Sequence, residues 1–170
     1  MKIAILSDTH VGQRIPAFPS GLEKELSRFD AIIHCGDYTD IATVEMLREF
    51  PQFHGVRGNM DSSRIREILP ETLNIELGGI RIGVIHGWGA PDGLVEKVRD
   101  KMQVEFQKTR FDIVFFGHSH VPSNQVIDNT RFINPGALSG NIDSSTGTWL
   151  ALDIRNGRAT WELKEINPRE

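Results

Sequence analysis

Five short, largely apolar runs in this chain each stop at a side chain able to bind a metal, and glycine stands beside most of them. "KIAIL" runs into Asp8 and His10, and "AIIHC" into Gly36-Asp37. "FHGVR" leads to Gly58-Asn59, "IGVI" to His86-Gly87, and "DIVFF" to Gly117 followed by His118 and His120. Runs of this length, bounded by turn residues, read as buried strands. In open α/β sheets, ligands bind just outside the carboxyl ends of the strands. Glycine at such a position permits a tight turn and close approach of backbones. A fold that aligns these strands therefore brings residues distant in sequence to one rim.

The spacing of the remaining elements supports that alignment. Between the first strands lie two amphipathic stretches. In "SGLEKELSRF", Ser20 and Glu23 have capping-box spacing and Leu22, Leu26 and Phe29 share a face. In "DIATVEMLREF", Asp40 is the expected N-cap and Ile41, Val44, Met46 and Leu47 face inward. A third helix is expected through Ile65 and Leu69. This β-α-β-α-β-α order is the rhythm of a parallel sheet with helices on its faces. Then it changes. "LNIELGGIRIGVI" reads as a hairpin turning at Gly78-Gly79, and a helix is expected across about 92–107. Beyond the strand "DIVFF", two further hairpins are expected, one turning at Asn129-Thr130 and one at Asn156-Gly157. Two sheets packed face to face with helices outside satisfy both halves.

Composition fits a single domain over residues 1–170. The chain is 39% hydrophobic, enough for a core, and has no apolar stretch near transmembrane length. No secretory signal is expected from its first residues. Cys35 is the single cysteine, so no internal disulfide can form and a reducing cytoplasm is expected. The formal net charge of −4 provides no basic field to gather nucleic acid, so stable nucleic-acid binding is not expected, and neither is membrane association.

The polar residues at the strand ends number two aspartates, one asparagine and four histidines. Mixed oxygen and nitrogen donors suit manganese, iron, zinc, cobalt or nickel better than calcium or magnesium. Seven donors are too many for one tetrahedral zinc. They fit two metals that share a bridging carboxylate and a water, about 3.5–4 Å apart. On this reading His118 and His120, in an extended turn, send one imidazole to each metal.

Asp8-x-His10, Gly36-Asp37, Gly58-Asn59, His86-Gly87 and Gly117-His118-x-His120 resemble the ordered motifs of the calcineurin-like metallophosphoesterases. Length and layout resemble the small single-domain bacterial and archaeal phosphodiesterases of that superfamily. The resemblance implies an α/β fold, a four-layer αββα sandwich of two mixed sheets. It implies two divalent ions, manganese foremost. Asp8, His10, Asp37 and His120 would hold the first, and Asp37, Asn59, His86 and His118 the second, with Asp37 as the bridge. The implied reaction is in-line attack on a small or nucleotide phosphodiester by a metal-bridging hydroxide. Asp37, Asn59, His86 and His118 would be the catalytic set. A retromer scaffold subunit shares this fold and holds protein partners over a degraded metal site. All seven ligand positions are filled here, which favours the enzyme.

Departures from the family pattern are informative. Many members carry histidine where this chain has Met60, and a thioether has no proton to give a leaving group. Asp61, which would orient that histidine, is expected to cap the following helix instead. Trp88 stands where several relatives have histidine, and could stack on a base or aryl group. Arg57 is close enough to Gly58-Asn59 to reach a phosphate, so Asn59, Trp88 and Arg57 are the candidate substrate contacts. His34 is expected to be buried or to bond a ligand. His54 and Cys35 are expected to be structural, Arg64 and Arg66 to lie on a solvated face, and "NPGALSG" (134–140) to be a turn without catalytic role.

Overall fold

A computed structural model describes residues 1–141 and 146–169. Its strands are β1 (Lys2–Leu6), β2 (Ala31–His34), β3 (Phe53–Gly55), β4 (Thr72–Leu77), β5 (Ile80–Ile85), β6 (Ile113–Phe115), β7 (Ser123–Ile127), β8 (Thr130–Asn134), β9 (Gly147–Arg155) and β10 (Arg158–Ile166). Its helices are α1 (Ser20–Leu26), α2 (Ile41–Arg48), α3 (Ser63–Ile68) and α4 (Leu94–Glu105). One five-stranded sheet has the order β10-β9-β1-β2-β3 and the other β4-β5-β6-β8-β7. Each mixes orientations: β1 is parallel to β2 and antiparallel to β9, while β5, β6 and β8 run parallel with hairpin strands β4 and β7 at the edges.

Strand periodicity creates the layers. Successive side chains on a strand face opposite ways. On β1, Ile3 and Ile5 therefore enter the core between the sheets, with Ile33, Leu152, Ile82, Val84, Ile113 and Phe115. Ala4 and Leu6 face the other way, onto α1, α2 and α3 through Leu22, Leu26, Val44, Leu47 and Ile65. On the second sheet, Ile85, Val114 and Phe132 meet α4 through Leu94, Val95, Val98 and Met102. The result is the expected αββα sandwich, since both faces of both sheets are apolar and each must be covered.

Local signals decide the ends of the elements. Asp40 caps α2 as expected, accepting from the Thr43 amide at 3.1 Å. The capping box on α1 does not form: Pro19 occupies the cap position and Ser20 is already the first helical residue. Gly78-Gly79 and Asn156-Gly157 turn their hairpins with both φ angles positive. The remaining hairpin turns at Asp128-Asn129, one residue earlier than Asn129-Thr130. Asp and Asn tolerate the left-handed region that a two-residue turn requires, and β-branched threonine does not.

Phe115 is fully buried at the centre of the inter-sheet core. Truncating Phe115→Ala is expected to lower unfolding free energy by about 3–5 kcal/mol, read from the midpoint of a urea titration.

Candidate metal centre

The carboxyl ends of β1, β2, β5 and β6 meet at one rim, and hydrogen bonding continues past the strands. The Asp8 amide donates to Gly36 O at 3.0 Å, that of His10 to Asp37 O at 3.1 Å, and that of Gly117 to His86 O at 2.9 Å. These bonds keep the loops in step after the sheet pairing ends. The backbone there is unusual. Asp8, His10, Asp37, His118 and His120 have φ of 53°, 49°, 59°, 73° and 60°. A left-handed residue with a Cβ costs about 1–2 kcal/mol, and such strain concentrates where function requires it. The turn holding His118 and His120 is thus left-handed at both residues rather than extended. It still sends the two rings to different places.

His120 joins His10 around Asp8. Its Nε2 lies 3.1 Å from Asp8 Oδ1 and 3.2 Å from His10 Nε2, which is itself 3.7 Å from both Asp8 Oδ1 and Asp37 Oδ2. His118 joins His86 around Asn59. Asn59 Oδ1 lies 3.0 Å from His86 Nε2 and 2.9 Å from His118 Nδ1, and His86 Nε2 is 3.2 Å from Asp37 Oδ2. Asp8 Oδ1 also reaches to 4.0 Å of His86 Nε2, so Asp8 stands between the two clusters.

The proton inventory explains what these atoms can accept. Carbonyl oxygens only accept, so His86 donates from Nδ1 to Cys35 O at 2.7 Å and His118 donates from Nε2 to Gly89 O at 2.7 Å. In the neutral rings, His86 Nε2 and His118 Nδ1 are then lone pairs aimed at a third acceptor, Asn59 Oδ1. Asp8 Oδ1, fully buried, accepts no hydrogen bond. Converging acceptors repel unless a cation lies among them, and a buried carboxylate oxygen without a donor is costly. The donor set therefore fits a divalent ion.

The titration of these groups tells the same story. Burial would raise Asp8, but the imidazoles of His86, His10 and His120 hold it well below the usual carboxylate range. Burial would also raise Asp37, but His86 holds it low. Burial would lower His86, yet Asp8 and Asp37 push it up to about 9. Without a bound metal ion His86 is therefore protonated and its Nε2 donates toward Asp37 and Asn59; its lone pair is presented only when a cation takes the place of that proton. His34 goes the other way: burial takes it down to about 3, so it is neutral. Its Nδ1 accepts from the Gly36 amide at 3.1 Å, so Nε2 donates to Thr9 Oγ1 at 2.7 Å. His34 thus bonds the backbone segments between ligand candidates rather than a ligand itself. Cys35 is buried and its thiol is pushed well up, an inert group. His54 lies in β3, half-buried and away from the rim.

Several supports were not legible in the sequence. Asp61 does not cap α3, whose cap position is Ser62. Its buried carboxylate accepts from the amides of Asp37 at 3.1 Å, Thr39 at 2.8 Å and Gly58 at 2.7 Å. It fastens the loop of Asp37 to the loop of Asn59. Arg66 is not merely on a solvated face: it donates to Asp61 O at 2.8 Å and to Asn59 O. Met60 donates its amide to Asp37 Oδ1 at 2.7 Å while its side chain stays exposed. Ser7 and the His118 amide bond Asp8 Oδ2. The 134–140 turn does touch the site: Asn134 donates to Gly117 O at 2.8 Å and Ser139 to Asp8 O at 2.8 Å. Gly58 and Gly117 are required by close approach, because a Cβ would overlap the side chains of Asp37 and of Ser7 and Asp8 respectively. Arg57 and Trp88 lie together on a cavity that adjoins Asn59 and His86.

Two stacked sheets whose strand ends gather aspartate, asparagine and histidine define a class of metal-dependent hydrolytic fold. The calcineurin-like phosphoesterase superfamily domain matches residues 1–157, and the chain belongs to that family. A probable metallophosphoesterase of Methanocaldococcus jannaschii is 32% identical over 139 residues, 81% of this chain and 68% of that protein. A phosphodiesterase of the same organism is 23% identical, covering 84% of this chain and 87% of that protein. The solution structure of Thermotoga maritima protein TM1076 superposes with a TM-score of 0.78 at 34% identity, over 97% of this chain and 99% of that one. Vps29 of Entamoeba histolytica, solved in complex with zinc, superposes at 0.71 with 23% identity, over 97% and 99%, a likeness of fold. Family membership implies divalent metal ions, and the residues assembled here suit them. Among the described residues, no helix is long and apolar enough to cross a membrane.

Asp61→Asn places an amide N–H against one of three backbone donors. It is expected to lower unfolding free energy by about 1–3 kcal/mol in a chemical denaturation series.

Proposed function

We propose that residues 1–170 form one metallophosphoesterase domain that hydrolyses small or nucleotide phosphodiesters with two divalent metal ions, manganese foremost. The observation that carries this is Asp8 Oδ1, wholly buried, without a hydrogen-bond donor, and faced by ring nitrogens of His10, His86 and His120. Asp8, His10, Asp37 and His120 would hold one ion, and Asp37, Asn59, His86 and His118 the other. When bound, such a pair supplies a water of lowered pKa and neutralises charge on a phosphoryl group. The relative named as a phosphodiesterase supports diesters over monoesters.

The residues of the chain do the rest. The carbonyls of Cys35 and Gly89 fix the tautomers of His86 and His118, so each ring presents a lone pair inward. Asp61 and Arg66 fix the turn that carries Asn59. In the reaction, a water gives one proton to solvent, its oxygen bonds to phosphorus, the ester P–O bond breaks, and that bond's electron pair leaves with the alcohol oxygen. That oxygen takes its proton from solvent, because Met60 has none to give. Diesters of acidic alcohols are then the better substrates. The lone, inert Cys35 is compatible with work in a reducing cytoplasm.

A scaffold role on the same fold calls for a degraded site, whereas all seven ligand positions are filled here. The test is to strip the protein of metal and titrate Mn²⁺ while following hydrolysis of bis(p-nitrophenyl) phosphate. Activity should appear as about two ions bind per chain. Asp37→Asn should abolish turnover and weaken binding of both ions. Metal uptake without turnover on any diester would sink the enzyme reading and favour a scaffold. Met60→His should raise turnover on poorly activated diesters more than on aryl diesters, by up to about 10²-fold. A linear free-energy plot against leaving-group pKa would show this as a shallower slope.

A further inference from the structure

Beside the Asn59–His86 cluster lies a cavity of about 210 Å³ lined by Arg57, Arg66, Ile85, Trp88 and Glu71. Pockets for drug-sized ligands run to roughly 300–1,000 Å³, so this one suits a single ring and its sugar. Its charge is out of keeping with a chain of net charge −4. Arg57 pairs with Glu71 at 3.1 Å, but Glu71 is shared with Lys101 at 3.2 Å. Among the described residues, no carboxylate is in ion-pair contact with Arg66, which bonds only to the carbonyls of Asn59 and Asp61. Lys101 also pairs with Glu105 at 3.6 Å, so three cations share two carboxylates at this edge and the charge of Arg66 is left over. A simple diester carries one negative charge, and that charge belongs at the metal cluster. The excess positive charge is suited to a second anionic group on the same substrate, and guanidinium groups are apt for phosphate.

The other wall is flat and apolar. Trp88 is 41% exposed, and it lines the cavity together with Ile85. Its position is not loose. Gly87 and Gly89 flank it with positive φ, and Gly89 O is the acceptor for His118. The indole loop is thus tied to a ligand of the proposed metal cluster. Indole and guanidinium lining one ring-sized space match a nucleobase with a phosphate on its sugar.

We infer that this cavity binds the retained arm of the substrate, and that this arm is a nucleoside carrying a second phosphate. Trp88 stacks on the base, and Arg57 and Arg66 receive the additional phosphate. This rests on the phosphodiesterase reading and narrows it. The test uses three p-nitrophenyl diesters that release the same phenolate: the methyl ester, the thymidine 5′ ester, and the thymidine 5′ ester with a 3′-phosphate. In each, water adds to phosphorus and p-nitrophenolate departs with the electron pair. With Mn²⁺ present, kcat/KM should rise about tenfold for the nucleoside and about tenfold again for the 3′-phosphate. Trp88→Leu should remove the first step. Arg57→Gln should remove the second without touching the Asn59 turn that Arg66 braces, and raised salt should diminish it.

Equal turnover of all three esters would overturn the subsite while leaving the phosphodiesterase standing. If no ester is hydrolysed, the phosphodiesterase reading fails. The subsite is then decided by calorimetry with thymidine 3′,5′-bisphosphate on the full chain. Binding weakened about tenfold by both Trp88→Leu and Arg57→Gln would uphold it. Absent binding, or binding that neither variant weakens, would overturn it.

Discussion

Asp8 is the residue on which the arrangement depends. One carboxylate oxygen is saturated by Ser7 and the His118 amide, and the other is buried with no donor. Removing a carboxylate oxygen from water without a hydrogen bond is among the more costly things a fold can do. Here that oxygen is surrounded by imidazole nitrogens, and a cation held among them would take the place of the water. The same carboxylate reaches across the gap between the sheets: it lies just past β1 of one sheet yet binds the backbone of the loop after β6 of the other. Asn134 at the end of β8 and Ser139 in the loop after it close that seam.

The sandwich exists partly to make such a seam possible. Parallel strands point their carboxyl ends the same way, and two sheets packed through Ile3, Ile5, Val84 and Phe115 align their rims. The loops then turn sharply at left-handed residues, and they are fastened by hydrogen bonds from elements far away in sequence. Asp61 is the clearest case. A carboxylate receiving three backbone amides is satisfied without a cation, so it can be buried beside Asp37 without disturbing the acceptors around it. It holds the two loops at a fixed separation, and Arg66 keeps the Asn59 turn from springing open.

What could be read in the sequence was what depends on near neighbours and on period. Short apolar runs revealed the strands, Asn156-Gly157 revealed its hairpin, and Asp40 revealed the helix that starts at the next residue. The seven metal-capable residues were legible because each follows a strand directly. What could not be read depends on distance. Asp61 looked like a cap because a helix follows it, but two of its three amide partners lie 22 and 24 residues away. Ser20 had the right spacing for a box, yet Pro19 before it took the cap position. Arg66 looked solvated because nothing local says that its guanidinium turns back to the Asn59 turn. The slip of one residue at Asp128-Asn129 was decided by which side chains accept positive φ.

Strain and acceptor repulsion in this rim make the site a local expense within an otherwise well-covered sandwich. Five left-handed ligand candidates and the buried carboxylates of Asp8, Asp37 and Asp61 are tolerated because the cores on either side of each sheet supply the surplus. A ligand that binds only the folded state adds stability as RT ln(1 + [L]/Kd), so a cation held among these acceptors would return part of that expense. The arrangement would be poor design for a surface meant only to pack against another protein, where the same positions could be filled by apolar or hydrogen-bonded side chains. It is reasonable for a site that must remain hungry for positive charge while its first ring of atoms stays fixed. The exposed Met60 and Trp88 then fall into place as rim residues around such a centre. The cavity lined by Arg57, Arg66 and Trp88 opens beside it.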